Sequence, residues 1–463
     1  MMNIPPSIRL LSLMLSFGTI LWTSPMSAQD AFDLSFQNMG ASSELWQGVQ
    51  LTENILQPLP NHNNAFYLSK PFDIELPTDA PFWAVSVSWK ASQEFSRQSH
   101  LRLRLNDGQE VIDRSLSLDE HQSPLDERQA SQLIFVPTTI QQAQIRIDFD
   151  GQAQGQLSDL RIRFYAPSHS SPHLQTQAAS LRDDCDCPQP EFLDREEWCA
   201  NGQCPIKNSP ALTEVSHLII HHSAGSNSSS DWPAVVRSIW DFHVNTRGWD
   251  DVGYNWIIDP EGQIYQGRGD NVRGAHFCGT NSQTMGVCLL GTFTEQEPTD
   301  AAVQSLRNLL TWKACDRSID PLLQSLHQGS GKNLFGVTGH RDGCATACPG
   351  DAFYPLLPML RQEVSDQLDA CTITSTEGLS ASSVIQVFPN PIAEEIRFEV
   401  PDNWLGQRAK IELLQMGSGK LCWQQEQVLQ KRHWIDVSQQ TAGVYLLRLQ
   451  MGKQVYTKEI VKQ

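Results

Sequence analysis

Two histidines and one cysteine in the middle of the chain have the residue types that a metal site requires. His221 ends the apolar segment 218–220, His340 follows the short apolar segment 335–339, and Cys348 lies in a loop of small residues. Zinc favours imidazole and thiolate ligands in a tetrahedral site, and a catalytic zinc keeps three protein ligands and one position for water. The three residues match that ligand count. The sequence therefore predicts one catalytic zinc ion held by His221, His340 and Cys348.

Cysteine pairing leaves the role of Cys348 open at this point. The chain has 11 cysteines, and if Cys348 is the thiolate ligand then ten remain for disulfide bonds. Cys344 lies four residues before Cys348, so it could form a disulfide bond with Cys348 or compete with it as the ligand. Spacing alone does not separate these alternatives.

A cluster of four cysteines precedes the middle of the chain. Its irregular spacing in a proline-rich stretch favours a disulfide staple over a zinc ribbon, because the chain has the features of an exported protein. The cluster consists of Cys185, Cys187, Cys199 and Cys204. Further candidate disulfide bonds join Cys278 to Cys288, or Cys315 to Cys344.

The elements around the three candidate ligands alternate between apolar strands and helices. Strands are predicted at 218–221, 253–258 and 285–291. Helices are predicted after the Asp231-Trp232-Pro233 start signal, from Thr299-Asp300 through Trp312, and from Phe353 to about Leu368 with interruptions at proline. Elements in this order predict a central α/β domain over 205–370, with a mixed sheet flanked by helices.

Two strand-rich blocks flank this domain. Over 31–165, apolar residues alternate with polar ones between turn signals, which predicts a β-sandwich that serves as an accessory or ligand-binding module of unknown ligand. The block 385–463 is also strand-like. Polar linkers are predicted at 166–204, which includes the cysteine cluster, and at 371–384.

Length, charge and the first residues limit the classes of function. At roughly 150 residues per domain, 463 residues predict about three domains. The formal charge of −18 excludes nucleic acid as a partner, since the surface repels phosphate. Residues 1–28 have the pattern of a secretory signal peptide, with Arg9, an apolar stretch and small residues up to Ala28. We expect no transmembrane segment in the mature chain.

The ordered motifs of the central domain resemble those of one protein family. The matching strings are 219–224 (Ile-Ile-His-His-Ser-Ala), 248–255 (Gly-Trp-Asp-Asp-Val-Gly-Tyr-Asn), 267–269 (Gly-Arg-Gly), 274–276 (Gly-Ala-His) with Asn281, and 339–342 (Gly-His-Arg-Asp) through 348–350 (Cys-Pro-Gly). Together they resemble the type 2 N-acetylmuramoyl-L-alanine amidases, in the branch shared with peptidoglycan recognition proteins. The resemblance covers about 205–365.

The resemblance implies a role for each matching residue. The family's zinc ligands fall on His221, His340 and Cys348. Tyr254 matches the tyrosine that assists at the metal-bound water, and Thr346 matches the threonine two residues before the ligand cysteine. Both side chains can donate hydrogen bonds to the developing oxyanion. The groove residues that hold muramyl peptide match His243, Arg247, His276 and Asn281. Arg247 also has a physical reason for this role, because its guanidinium can fork onto a peptide carboxylate. His243 lies on the apolar stripe of its helix, so a role in the core is equally compatible.

The last block resembles a second family. Phe388-Pro389-Asn390-Pro391 near its start and the strand 443–449 near its end are similar to the C-terminal sorting domain of type IX secretion cargo, an immunoglobulin-like β-sandwich of Bacteroidetes. The resemblance implies the type IX secretion machinery as a partner. It also implies a protein that is secreted or held at the outer cell surface of a Gram-negative bacterium. The alternative is an ordinary binding sandwich.

The sequence thus predicts a multidomain chain whose central α/β zinc amidase domain lies between an N-terminal β-sandwich and a C-terminal immunoglobulin-like β-sandwich. The expected reaction is hydrolysis of the amide between muramic acid and L-alanine in bacterial peptidoglycan. One alternative is a non-catalytic peptidoglycan-binding protein, and a second is a surface adhesin that uses the same fold.

Overall fold

The structure is a computed structural model that describes most of the chain. The described residues are 31–35, 38–39, 46–92, 99–121, 127–150, 154–170, 187–199, 202–374, 385–388, 390–401, 404–416, 420–451 and 454–463. The predicted signal peptide, Cys185 and Pro389 lie outside them. No helix in these ranges is both long enough and apolar enough to cross a membrane. Contacts divide the chain into two compact units, one drawn from 1–174, 195–209 and 224–253, and the other from 175–194, 210–223 and 254–463.

The N-terminal block of the first unit consists of two antiparallel sheets. Its strands are β1 (Ala31–Ser35), β2 (Trp46–Gln47), β3 (Val49–Thr52), β4 (Ile55–Pro58), β5 (Phe66–Leu68), β6 (Phe72–Asp73), β7 (Trp83–Ala91), β8 (Ser99–Asn106), β9 (Val111–Leu116), β10 (Arg128–Ala130), β11 (Ile134–Val136), β12 (Gln142–Phe149) and β13 (Leu157–Tyr165). One sheet has the order β10-β7-β13-β4-β3, with β1 on β13 and β11 on β7. The other has the order β2-β5-β12-β8-β9, with β6 on β12.

Alternation along these strands places one set of side chains in a shared core. Burial alternates residue by residue along β12, so that Ile145 and Ile147 are fully buried. Leu103 on the neighbouring β8 and Val85 on β7 of the other sheet belong to the same core. The strands predicted in this block are therefore confirmed, although β7 is buried on both faces and encloses Ser86 and Ser88 as well as its apolar residues.

The sheet of the second unit is mixed, as predicted. Its strands are β14 (His217–His222), β15 (Trp256–Ile258), β16 (Ile264–Gln266), β17 (Thr284–Leu289) and β20 (Val337–Gly339), in the order β16-β15-β17-β14-β20. Only β16 runs antiparallel to its neighbour. All six residues of β14 are buried, as expected for a central parallel strand that is covered on both faces. A separate hairpin joins β18 (Gln324–His327) to β19 (Lys332–Phe335).

Two of the helices begin directly after capping residues that the sequence indicates. They are α1 (Arg195–Trp198), α2 (Trp232–Asp241), which continues into the π-helical turn Phe242–Thr246, α3 (Asp300–Arg317), α4 (His340–Gly343), the 3-10 turn Tyr354–Leu356 and α5 (Leu357–Thr374). The Asp231 carboxylate accepts the first-turn N–H of α2, and the Thr299 hydroxyl does the same for α3. The predicted interruption of the last helix is wrong. Pro355 lies in the 3-10 turn and Pro358 in the first turn of α5, where proline is tolerated.

The C-terminal block forms two further antiparallel sheets. The first contains β21 (Gln386–Phe388), β22 (Glu395–Glu399) and β25 (Arg432–Asp436). The second has the order β24-β23-β26-β27, with β23 (Arg408–Gln415), β24 (Lys420–Val428), β26 (Gly443–Met451) and β27 (Gln454–Lys462). Ile396, Ile411 and Leu447 lie in the core of this block. The strand predicted at 443–449 is confirmed as the first part of β26.

The disulfide bonds differ from the predicted pairs. Cys187 pairs with Cys371, and Cys278 pairs with Cys344. Cys199 pairs with Cys204 inside the predicted cluster. Cys315 is also disulfide-bonded. The candidates Cys278–Cys288 and Cys315–Cys344 are therefore wrong, because Cys278 and Cys344 bond to each other.

The ten cysteines that were available for pairing do not all form disulfide bonds. Among the described residues, Cys288, Cys348 and Cys422 all keep thiols. Burial raises the pKa of the Cys288 thiol, and a hydrogen bond with Tyr254 only partly opposes that shift. Cys288 therefore remains a protonated, unreactive core residue at neutral pH.

Two of the disulfide bonds should stabilise the fold by different amounts, because they close loops of very different length. Cys187 and Cys371 are separated by 184 residues, so replacing both with serine should lower the free energy of unfolding by up to about 5 kcal/mol. The matched control replaces Cys199 and Cys204, which are separated by 5 residues, and should cost about 2 kcal/mol. Urea denaturation of the oxidised full chain measures both values. Equal losses would contradict this loop-closure explanation.

Candidate active site

Three side chains meet at the carboxyl ends of two parallel strands. His221 is the fifth residue of β14, and His340 directly follows β20, which pairs in parallel with β14. Cys348 lies in the loop after α4 and is fully buried. His221 and His340 are also buried, with exposures of 0% and 2%. The structure thus brings together the three predicted ligands, which are far apart in sequence.

The distances between the donor atoms suit zinc. The ligand atoms of His221, His340 and Cys348 all lie within 4.8 Å of one another. Nδ1 of His221 is 3.7 Å from Sγ of Cys348. Zinc–sulfur bonds of about 2.3 Å and zinc–nitrogen bonds of about 2.0–2.1 Å separate nitrogen and sulfur by about 3.6 Å in a tetrahedral site. The donor set and its spacing therefore fit one zinc ion.

Cys348 keeps its thiol and is not a disulfide sulfur. The alternative bond to Cys344 is excluded, because Cys344 is joined to Cys278. The same bond removes Cys344 as a competing thiolate. The backbone N–H of His222 donates to Sγ of Cys348 at 3.3 Å. Such a hydrogen bond favours the thiolate form that binds metal.

His276 supports His221 from behind. Nδ1 of His276 lies 3.0 Å from Nε2 of His221, on the side opposite the nitrogen that faces Cys348. The contact requires Gly286, because a Cβ there would lie 2.6 Å from the His276 ring. A partner on the second ring nitrogen fixes the orientation and tautomer of a metal-binding histidine. The structure therefore places His276, predicted to bind substrate, directly behind a candidate ligand.

The Asn281 side chain forms hydrogen bonds with the backbone. Its Oδ1 accepts the backbone N–H groups of His276 and Phe277, at 2.7 and 2.8 Å. This fixes the turn that presents His276. The substrate-binding role predicted for Asn281 stays a prediction.

Tyr254 and Thr346 flank the candidate ligands. The Tyr254 ring is buried, and its centroid lies 5.5 Å from that of His221. Oγ1 of Thr346 accepts the backbone N–H of Cys348 at 3.1 Å. That bond uses a lone pair of the Thr346 hydroxyl and leaves its hydrogen available for donation. Their predicted catalytic roles stay predictions.

His243 and Arg247 follow helix α2 and are both buried. Nδ1 of His243 accepts the backbone N–H of Gly253 at 3.1 Å, and its ring stacks on Trp249 with centroids 4.6 Å apart. The Arg247 guanidinium lies 5.1 Å from the centre of Trp249. It also lies 3.5 Å from the carboxylate of Asp119, which belongs to the N-terminal block. The substrate-binding roles of His243 and Arg247 stay predictions.

Asp342 is a supporting residue that the sequence interpretation missed. Its Oδ2 accepts hydrogen bonds from the Thr338 hydroxyl and the Gly339 N–H, and its Oδ1 accepts from the Tyr354 hydroxyl. The hydrogen bond to Asp342 raises the pKa of Tyr354, and burial adds to this effect. Asp342 therefore fixes the turn that carries His340. Its place in the Gly-His-Arg-Asp string could have suggested this.

Comparison with protein families gives two matches. Residues 211–351 match the family described as N-acetylmuramoyl-L-alanine amidase. Residues 386–463 match the family described as secretion system C-terminal sorting domain. The first range contains every residue of the candidate site, from His221 to Cys348.

Individual relatives match the same central part of the chain. Human N-acetylmuramoyl-L-alanine amidase is 32% identical over 165 residues, which are 34% of this chain and 27% of the human protein. The chain thus spans about a quarter of that protein's length. Mouse peptidoglycan recognition protein 1 is 33% identical over 170 residues, which are 36% of this chain and 85% of the mouse protein. The solved structure of Drosophila PGRP-LB is 32% identical, with a TM-score of 0.30 over 35% of this chain and 90% of that one.

The contact between His276 and His221 can be tested through metal affinity. Replacing His276 with alanine should lower zinc affinity about 10- to 100-fold, because His221 loses its orienting partner. Titration of the full chain with zinc against a competing chelator measures this. The matched control is His217→Ala. It removes a buried histidine at the start of β14 whose ring nitrogens contact the hydroxyls of Ser216 and Ser325. Equal affinities in both variants would contradict the supporting role.

Proposed function

Because this chain belongs to the family that unites N-acetylmuramoyl-L-alanine amidases with peptidoglycan recognition proteins, we propose that it is a zinc-dependent N-acetylmuramoyl-L-alanine amidase. The substrate is bacterial peptidoglycan, and the bond cleaved is the amide between muramic acid and L-alanine. The observation that carries this proposal is the convergence of His221, His340 and the Cys348 thiol within 4.8 Å. The cofactor of this proposal is Zn²⁺.

The three ligands would leave one position of a tetrahedral zinc site open. When bound, zinc lowers the pKa of water toward 7 and polarises a carbonyl group. The residues of the chain supply orientation and hydrogen bonds. His276 fixes the His221 ring, and Asp342 fixes the turn of His340. Tyr254 and Thr346 donate hydrogen bonds to the oxygen of the scissile carbonyl as charge develops on it.

A non-catalytic peptidoglycan-binding protein is the alternative within the same family. Members that only recognise the cell wall typically lack the ligand cysteine, whereas this chain has Cys348 as a buried thiol. A surface adhesin is the second alternative, and it would not need the ligand atoms to converge. The buried thiol beside two histidines favours catalysis over both.

The two blocks that flank the central domain bear on how the protein is exported and where it is located. The match to a secretion sorting domain implies secretion and attachment to the cell surface in Bacteroidetes. We propose that the type IX secretion machinery exports this chain to the outer surface or medium of a Gram-negative bacterium, with residues 1–28 as the signal peptide. We further propose that the two flanking blocks are β-sandwiches, the C-terminal one immunoglobulin-like and the N-terminal one an accessory module.

Replacing Cys348 with serine tests the proposal. Loss of the thiolate should remove zinc and lower the hydrolysis rate by at least about 1,000-fold, because the attacking water is then no longer activated. Mass spectrometry of muropeptides detects the free L-alanine amine, and elemental analysis gives the zinc content. The control is Cys422→Ser, which changes a thiol of the C-terminal block and should change neither measurement.

The outcomes separate the three functions. Hydrolysis by Cys348→Ser at the normal rate would contradict the zinc mechanism. A zinc-loaded wild-type chain that binds muropeptides without cleaving them would be a recognition protein. A chain that neither binds nor cleaves them would favour the adhesin.

A further inference from the structure

The N-terminal block is attached to helix α2 and the turn after it by polar contacts within the first unit. The Arg163 guanidinium donates two hydrogen bonds to the Asp241 carboxylate, at 2.7 and 2.8 Å. The hydroxyls of Ser86 and Thr246 lie 2.8 Å apart. The carboxylate of Asp119 approaches Arg247. Since Arg247 is a candidate for holding the stem peptide, the third contact bears on function as well as on attachment.

Asp119 is a buried, ionised carboxylate. Its side chain is 7% exposed and that of Arg247 is 3% exposed. Burial raises the pKa of Asp119, but the hydrogen bond from His121 and the nearby Arg247 guanidinium outweigh this effect and lower the pKa to about 2. A carboxylate therefore faces Arg247 at every pH relevant to a cell-wall hydrolase. It has the same chemistry as the carboxylates of a stem peptide.

We propose that Asp119 is an internal competitor that occupies Arg247 in place of a stem-peptide carboxylate. A stem-peptide carboxylate must displace Asp119 in order to reach Arg247, so the N-terminal block limits access to this residue. The proposal rests on the proposed function, because it takes Arg247 as a residue of the peptide groove.

The geometry of the contact suits displacement better than permanent attachment. The closest approach of Arg247 to Asp119 is 3.5 Å, longer than the roughly 2.7–2.9 Å of a charge-assisted hydrogen bond. Within the described part of the chain, Oδ2 of Asp119 accepts no hydrogen bond. The Arg163–Asp241 pair, by contrast, is bidentate and short. Attachment of the block therefore does not depend on Asp119, and a ligand carboxylate could bond to Arg247 more closely than Asp119 does.

The test compares two ligands and two variants by calorimetry. A muramyl tripeptide whose terminal carboxylate is its only carboxylate, and the same peptide as its terminal amide, are titrated into the chelator-treated full chain. Asp119→Asn should bind the free acid about tenfold more tightly than the wild type, and the amide less than twofold more tightly, since only the acid competes for Arg247. The control is Asp150→Asn, which removes an exposed carboxylate of the same block that pairs with His100. It should leave both affinities unchanged.

Equal gains for acid and amide, or no gain for the acid, would overturn the proposal. If Asp119→Asn does not fold, hydrogen exchange in the wild type decides instead. Added free acid should increase exchange at 117–121, and unchanged exchange there would overturn the proposal. Failure of the wild type to bind either ligand would contradict the proposed function and the proposal with it. Binding unaffected by Asp119→Asn would overturn the Asp119 proposal alone.

Discussion

The candidate site depends on the parallel register between β14 and β20. Ile220 pairs with Gly339 at the last position of this ladder, so the next residues along the two strands are His221 and His340. Parallel strands end at the same edge of a sheet, and therefore both imidazoles lie at one level. Their ring centroids are 4.5 Å apart. A shift of one residue would turn one imidazole to the opposite face and remove one ligand from the site.

The rest of the site stabilises that arrangement. Asp342 ties the end of β20 to the turn that follows, and the N–H of His222 fixes the sulfur of Cys348. The neighbouring strand β17 contributes Gly286, whose missing side chain gives His276 the space to reach His221. Each contact joins a different part of the sequence to the two strand ends. The backbone geometry of the chain thus holds the three candidate side chains close together.

The sequence predicted local features well because their causes are local. Asp231 and Thr299 cap helices, since their short side chains reach the N–H groups of the next turn. The strands that carry the candidate ligands follow from apolar runs, and the candidates themselves were chosen by residue type and motif order. Disulfide connectivity was not predictable, because Cys187 and Cys371 meet only through the fold. Nothing in the sequence pointed to Asp119 either, because its contact with Arg247 joins two segments that are far apart in the chain.

An internal carboxylate also affects which ligands can reach Arg247. Because Asp119 belongs to the same chain as Arg247, it competes intramolecularly, at an effective concentration that does not fall when the protein is dilute. A soluble peptide at low concentration seldom brings a carboxylate near Arg247, so it competes poorly against Asp119. Peptidoglycan is a polymer that presents many stem peptides at one surface, so its local concentration can match that of Asp119. Competition of this kind would therefore favour action on intact wall over action on scattered fragments.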